Sequence, residues 1–130
     1  NSYMGIITKK IGNKSYAYLS RREGNKVIQK YLGPTDNTDV KKMIFARSEA
    51  GSIPERFRML FWDTRLEKIH LKKNARYIIE RILELGNLDA IYWLQMAYSA
   101  QNIIETLNTS RAVSKRSRIF WKLWFGVEDA

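Results

Sequence analysis

Residues 4–34, MGIITKKIGNKSYAYLSRREGNKVIQKYLGP, decide the fold of the first quarter of this chain. A Gly-Asn pair occurs twice in this stretch, at Gly12-Asn13 and Gly24-Asn25, each time between segments with strand character. Gly-Asn suits a two-residue hairpin turn that needs a positive φ. The stretch therefore predicts an antiparallel meander of three strands, over about residues 4–10, 15–21 and 26–32, which Gly33-Pro34 ends.

The period of two along a strand divides the side chains of this meander between two faces. Tyr16 and Tyr18 share a face of the second strand, and Val27, Gln29 and Tyr31 share a face of the third. The opposite faces carry the aliphatic residues Ala17, Leu19, Ile28 and Leu32. We therefore expect one aromatic and one aliphatic side.

The meander is also basic. It contains a single acid, Glu23, and seven cations: Lys9, Lys10, Lys14, Arg21, Arg22, Lys26 and Lys30. Lys and Arg at a surface neutralise phosphates, and aromatic rings beside them can stack on exposed bases. With a net charge of +10 for the whole chain, the composition favours nucleic acid, an anionic membrane surface or an acidic protein as partner. The alternative is that the tyrosines pack the sheet onto a helix and the charges keep a sheet edge soluble.

After residue 34 the apolar residues follow helical spacing. Asp39 begins a connecting helix that Gly51 ends, and Pro54 suits the first turn of the next segment. Further helices are predicted over about residues 72–85, 88–98, 103–107 and 115–125, with Gly86 as a stop and Asn87, Ser99 and Ser114 as N-caps.

The predicted fold class is α+β, with an N-terminal three-stranded antiparallel meander followed by a mainly α-helical bundle domain. We divide the chain into a basic β-meander (residues 4–34), a connecting helix and hinge (35–52) and a helical domain (53–127). No repeat other than the two Gly-Asn turns is evident.

The composition excludes several classes of site. Cysteine is absent and there is one histidine, so the chain offers no disulfide, thiolate zinc site or histidine cluster. No apolar run approaches the roughly 18 residues of a membrane span, and the N-terminus lacks the apolar region of a signal peptide. We expect a cytoplasmic protein with no membrane partner, no metal and no cofactor.

Candidates for catalysis are few. His70 has no second histidine to work with, and Glu80 and Glu84 lie four residues apart among arginines, which favours a solvated helix face over a metal site. Because no phosphate-binding loop, serine elbow or zinc motif is present, we predict that the protein is not an enzyme. An enzyme that uses Glu80, Glu84 or His70 is the least favoured alternative.

A second basic cluster opens the last predicted helix, with Arg111, Lys115, Arg116 and Arg118 around the Ser114 cap. Cations at a helix N-terminus are unfavourable for the helix alone and gain if an anion lies nearby. The predicted nucleic-acid-binding residues are therefore Lys9, Lys10, Lys14, Tyr16, Tyr18, Arg21, Arg22, Lys26, Lys30, Arg111, Lys115, Arg116 and Arg118.

The body of this helix, residues 119–125, is too apolar to lie exposed against DNA. We assign Phe120, Leu123 and Trp124 to the core. Trp121 and Phe125, together with Trp93 of the apolar segment 91–96, are the predicted interface with a protein partner or a second copy.

Two stretches resemble known families. Residues 15–34, with Gly24-Asn25-Lys26-Val27-Ile28-Gln29-Lys30-Tyr31-Leu32-Gly33-Pro34, resemble a short module at the start of many archaeal and bacterial proteins, including some transposases. That resemblance implies a nucleic-acid context and assigns no catalytic residue, and the acidic metal-binding core of a transposase is missing here.

The helical half, with Phe61-Trp62-Asp63, the segment from Tyr77 to Gly86 and Phe120-Trp121, resembles a small prokaryotic domain of unknown function. Genes for that domain often lie beside nucleotidyltransferase-type toxins of abortive-infection systems, which implies an antitoxin or regulatory subunit. The leading hypothesis is a nucleic-acid-binding regulator, with DNA favoured over RNA as its partner. The alternative is a protein-interaction adaptor whose basic surface binds an acidic partner.

Overall fold

The basic N-terminal stretch forms a three-stranded antiparallel sheet in the computed structural model, which describes residues 4–127. Its strands are β1 (Met4–Ile11), β2 (Lys14–Glu23) and β3 (Lys26–Pro34), in the order β1-β2-β3. Gly12 and Gly24 have φ of 63° and 59°, whereas no residue other than glycine has a positive φ in the described part of the chain. A positive φ at the first central residue alone is the pattern of a type II′ hairpin turn. The meander is confirmed.

The third strand runs further than predicted, because Gly33 and Pro34 still pair with β2. Tyr31 lies opposite Tyr18 and Gly33 opposite Ala17, so Leu32 is an extra residue without a partner, which makes a β-bulge. Proline is tolerated here because β3 is an edge strand, on which a missing N–H costs no ladder bond. The prediction that Gly33-Pro34 ends the strand was wrong by these two residues.

The aliphatic side of the sheet packs against helix α1 (Thr38–Ser48). The Asn37 side chain caps this helix by accepting hydrogen bonds from the N–H groups of Asp39 and Val40, at 2.9 and 3.2 Å. Val40 is buried, and a Cβ on Gly33 would lie 3.1 Å from its Cγ2 atom. Ala17, which pairs with Gly33, is fully buried. The helix therefore covers the aliphatic face and leaves the tyrosine face open.

Four further α-helices form the rest of the molecule: α2 (Ala75–Leu85), α3 (Leu88–Ala97), α4 (Ala100–Thr109) and α5 (Lys115–Phe125). The predicted caps Asn87, Ser99 and Ser114 each accept a backbone N–H at the start of α3, α4 and α5. The segment after Pro54 forms a 3-10 helix (Glu55–Phe61) rather than an α-helix, and a second 3-10 turn follows (Leu66–Lys68). The α+β class is confirmed. Within residues 4–127, no helix has the length and apolar character needed to cross a membrane.

One hydrophobic core joins these helices. Fully buried aliphatic side chains come from α2, α3 and α4, among them Ile78, Ile79, Ile82, Leu83, Ile91, Leu94, Ile103 and Leu107. Trp93 fills the centre, with its Nε1–H donating to the Glu49 carbonyl at 3.0 Å. Because Glu49 ends α1, this bond ties the sheet and its helix to the core.

Gly86 joins α2 to α3 in extended backbone, at φ −75° and ψ 168°, so the left-handed conformation does not explain the glycine. Close packing does. A Cβ at this position would lie 2.5 Å from the Ile82 carbonyl oxygen and 3.3 Å from the Ala90 side chain. A side chain here would clash with the last turn of α2 and press on α3, which only glycine avoids.

We predict that Gly86→Ala destabilises the protein by about 1–3 kcal/mol, the usual cost of overpacking. Urea unfolding followed by circular dichroism measures this change. Gly51→Ala is the matched control, because a Cβ on Gly51 meets nothing within 4 Å. If the two variants unfold at the same urea concentration, close packing is not the reason for Gly86.

Two carboxylates of α2 hold the start of α5. Glu84 accepts hydrogen bonds from the Ser114 N–H at 3.0 Å, the Ser114 hydroxyl at 2.7 Å and the Ser117 hydroxyl at 2.6 Å. Glu80 accepts from the Ser110 hydroxyl one turn earlier. Burial raises the pKa of Glu84, but the bonds from Ser117 and Ser114 outweigh it and leave that pKa below 4.5. Glu84 thereby supplies the negative charge that the basic N-terminus of α5 requires.

We predict that Glu84→Gln costs about 1 kcal/mol at neutral pH, because the serines lose a charged acceptor. A carboxylate whose folded pKa is lowered stabilises the fold above its unfolded pKa, and this contribution disappears as pH falls through the folded pKa. The difference between wild type and variant should therefore shrink as pH falls below 4.5. Urea unfolding at a series of pH values measures it.

Glu105→Gln is the control for this experiment, because the exposed Glu105 carboxylate accepts no hydrogen bond from the described residues. A stability difference for Glu84→Gln that stays constant from neutral to acidic pH would contradict the assignment.

Candidate nucleic-acid interface

The predicted sheet residues are all at the surface or half-buried, but the register divides them between two faces. Lys9 lies opposite Tyr16, and Tyr18 opposite Tyr31, so these residues share the open face. Lys14 and Arg22 lie on that face too, at the two ends of β2. The remaining cations, Lys10, Arg21, Lys26 and Lys30, belong to the face that α1 partly covers. The predicted set is therefore not one continuous patch.

The open face, which we call the tyrosine face, has an ordered centre. The Tyr31 ring lies 5.4 Å from the Tyr18 ring and 6.3 Å from the Tyr16 ring, measured between centroids. The Lys9 ammonium lies 4.6 Å from the Tyr18 centroid and donates to Gln29 Oε1 at 3.0 Å. These contacts hold Lys9 over the rings. Gln29 and Ile7 were not predicted as site residues, and only the strand register shows that they border the same rings.

Several arginines of the helical half are neutralised within the protein, although other cations there are exposed. Arg56 binds the carboxylates of both Glu49 and Asp89 at 2.7 Å, and the hydrogen bonds that it donates to Glu49 and then to Asp89 raise its pKa. Arg58 binds Glu55 and Glu67 in the same way.

The sheet differs from this arrangement. Among the described residues, no carboxylate forms an ion pair with Lys10, Lys14, Arg22, Lys26 or Lys30. These five cations are exposed. Their charge is therefore available to an anion from outside the chain.

The second basic cluster is only partly available. Arg111, Lys115 and Arg116 are exposed beside the start of α5. The Arg118 guanidinium, however, donates to the carbonyl oxygens of Leu107 and Val113 at 3.0 and 3.2 Å, and also to that of Ser110. Arg118 thus satisfies backbone carbonyl groups at the end of α4, so it is not part of the exposed basic cluster.

The residues predicted as the partner interface are buried or half-buried, whereas the residues of α5 predicted as core are exposed. Trp93 and Trp121 are buried, and the Trp121 Nε1–H donates to the Leu83 carbonyl at 2.6 Å. Phe125 is half-buried against Trp121, with ring centroids 6.2 Å apart. These three residues therefore do not form an exposed interface.

The residues assigned to the core are exposed instead. Leu123 keeps 78% of its surface accessible, and Phe120 and Trp124 are also open. The reason is the rotation of α5, which the Ser117 bond to Glu84, the Arg118 bonds to α4 and the Trp121 indole all set from the inner side. With Ile119, the three form an exposed apolar stripe on the outer side.

The residues weighed for catalysis have other roles. His70 is exposed, and its backbone N–H donates to Asn74 Oδ1 at 2.8 Å. Glu80 and Glu84 bind the serines that precede and open α5. Within residues 4–127, no group of three or more His, Cys, Asp or Glu side chains is placed to hold a metal ion.

The polar residues of the motif in the helical half form a cluster on the surface. Asp63 accepts hydrogen bonds from the Tyr77 hydroxyl at 2.7 Å and from Arg81 at 2.5 Å. Bonds from Tyr77 and then Arg81 lower the pKa of Asp63, whereas burial and then the Asp63 bond raise that of Tyr77 to about 12. The exposed Trp62 ring lies 5.7 Å from the Arg81 guanidinium carbon. This cluster joins the 3-10 segment to α2.

No curated protein and no solved structure matches the chain. The prediction that the helical half resembles a domain of unknown function is confirmed. Residues 57–107, about two fifths of the chain, match the model of DUF6922, a family of unknown function, so this part of the helical half, with the Asp63 cluster, is similar to that family.

Proposed function

We propose that the protein is a non-enzymatic nucleic-acid-binding regulator whose sheet contacts phosphates. The observation that carries this proposal is the unequal use of charge. Seven of the 23 Lys and Arg residues lie in the meander with one of the 13 acids. Five of these seven cations form no ion pair with a described carboxylate, so the excess of positive charge on the sheet is not neutralised within the described part of the chain. A surface that gathers unneutralised cations attracts a polyanion.

The helical half favours a regulatory role for this nucleic-acid-binding protein. It resembles a domain whose genes lie beside nucleotidyltransferase-type toxins, so we propose an antitoxin-like partner of such a toxin. In this arrangement the sheet holds DNA, and the helical body, with its exposed stripe on α5, contacts the toxin. A cytoplasmic location follows from such a role.

We predict that the triple variant Lys14→Gln, Arg22→Gln, Lys26→Gln binds duplex DNA more weakly and with less dependence on salt. Each phosphate contact contributes about 0.9 to the slope of log affinity against log salt, so the slope should fall by as much as about 2.7. All three side chains are exposed near the hairpin turns, so the fold should persist. Fluorescence anisotropy with labelled duplex DNA across a salt series measures both quantities.

The matched control is Lys68→Gln, Lys72→Gln, Lys73→Gln, which removes the same charge from exposed positions in the helical half. If only net charge matters, both triple variants lose affinity equally, and the sheet is not the binding surface. If the wild type binds no nucleic acid at low salt, the proposed function is wrong.

A second candidate function is a protein-interaction adaptor, and the exposed stripe on α5 favours it. The stripe, formed by Ile119, Phe120, Leu123 and Trp124, lies next to the exposed cations Arg111, Lys115 and Arg116. A partner with an apolar surface and acidic residues at one border would match both features.

The two candidates respond differently to salt and to substitution. A photo-crosslinking residue in place of Leu123 in the native host would capture the partner, which is then purified. For an adaptor, we expect that this partner keeps most of its affinity in high salt and loses it with Leu123→Asp. A partner whose binding is unaffected by Leu123→Asp would exclude the stripe as the interface.

A further inference from the structure

We propose that the tyrosine face binds single-stranded nucleic acid, with unpaired bases stacked on the Tyr31 and Tyr16 rings. This inference rests on the nucleic-acid function proposed above and specifies the ligand. Its basis is the combination of one exposed ring, Tyr31, beside the half-buried Tyr16 and Tyr18 rings with cations at the ends of the face.

The rings differ in how much of their surface a ligand can reach. The Tyr18 ring is half-buried and already carries the Lys9 ammonium 4.6 Å from its centroid. Tyr31 lies on the edge strand β3 and keeps 53% of its surface accessible. Tyr16 borders Tyr31, with centroids 6.3 Å apart and ring planes inclined by 44°. Tyr31 is therefore the main stacking position, and Tyr16 is the second.

The cations lie where the backbone of such a ligand would run. Lys14 and Arg22 lie on the tyrosine face eight residues apart on β2, which corresponds to about 26 Å along the strand. Lys9 lies between them on β1, and its bond to Gln29 holds it in place. A chain of nucleotides laid along β2 thus meets a positive charge at each end and one near the rings.

A duplex would use this face poorly. Its bases are stacked on one another and its phosphates are outermost, so it would press charged groups against the rings and Ile7. Phosphates pressed against the rings would lose hydration, and the ring faces would stay empty. Unpaired bases present π-faces that stack on aromatic side chains with little dependence on sequence. The tyrosine face therefore favours unpaired bases over a duplex.

The test compares labelled oligothymidylate and oligouridylate, each roughly 12 nucleotides long, with a DNA duplex of the same length, by fluorescence anisotropy at one salt concentration. The full chain is used as wild type, Tyr31→Ala, Tyr31→Leu and Tyr31→Phe. We expect tighter binding to the single strands than to the duplex. Tyr31→Ala and Tyr31→Leu should each lose about tenfold in affinity for the single strands, because both lack a ring. Tyr31→Phe should retain the wild-type affinity.

The outcomes separate this inference from the function on which it rests. Equal or tighter duplex binding, or no loss with Tyr31→Ala, overturns the inference while the phosphate-binding function stands. Wild-type affinity in Tyr31→Leu also overturns it, because apolar bulk would then replace stacking. No binding to any of the three probes at low salt overturns both. Tighter binding to one of the two single strands identifies DNA or RNA as the source of the bases.

Discussion

Trp93 is fully buried among the helices, and its indole N–H donates to the backbone carbonyl of Glu49 at the end of α1. The side chain thus belongs to the helical core and to the element that covers the sheet. Arg56 strengthens the same junction by binding Glu49 and Asp89, from the end of α1 and the start of α3. A sheet of three strands is near the lower limit of independent stability, and here it packs against α1. Its position depends on α1, and the position of α1 depends on this junction.

This arrangement leaves the sheet with two different sides. Helix α1 partly covers the aliphatic side through Val40, Gly33 and Ala17, whereas Ile7, Val27 and Tyr31 on the tyrosine face are exposed. The rings and cations of the tyrosine face therefore lie at the surface and not in the core. In the helical half, Arg58 and Arg81 bind carboxylates and Arg118 binds carbonyl oxygens. The concentration of cations on the sheet supports the function proposed for it.

Helix α5 is held by hydrogen bonds on its inner side and is exposed on its outer side. Glu84, the Arg118 guanidinium and the Trp121 indole all act on the inner side and set the rotation of the helix. Because polar groups with directional bonds determine this rotation, Leu123 and Phe120 face outward although they are as apolar as the buried residues. The molecule therefore has two separate exposed surfaces of different chemistry, one basic and aromatic, and one apolar with a basic border.

Features that depend on neighbours along the chain could be predicted from the sequence alone. The two Gly-Asn turns, the period of two in the strands and the caps at Asn87, Ser99 and Ser114 are local, and each was predicted at the right place. The limits of β3 were missed because a bulge at Leu32 depends on the pairing partner in β2. The basic sheet was predicted, but its division into two faces with different neighbours required the register.

Only the tertiary structure decided which apolar residues are buried. In residues 119–125 apolar side chains occur on every side of the helix, so the pattern contains no preferred inner face. Contacts from α2 and α4, 30 or more residues away for Glu84 and Leu83, select Trp121 and Phe125 for the inside. Carbonyl oxygens at and after the end of α4 give Arg118 a structural role, and Ile82 and Ala90 leave no room for a side chain on Gly86. Local patterns determine where elements lie, whereas packing between distant elements determines which of their faces remain free to bind.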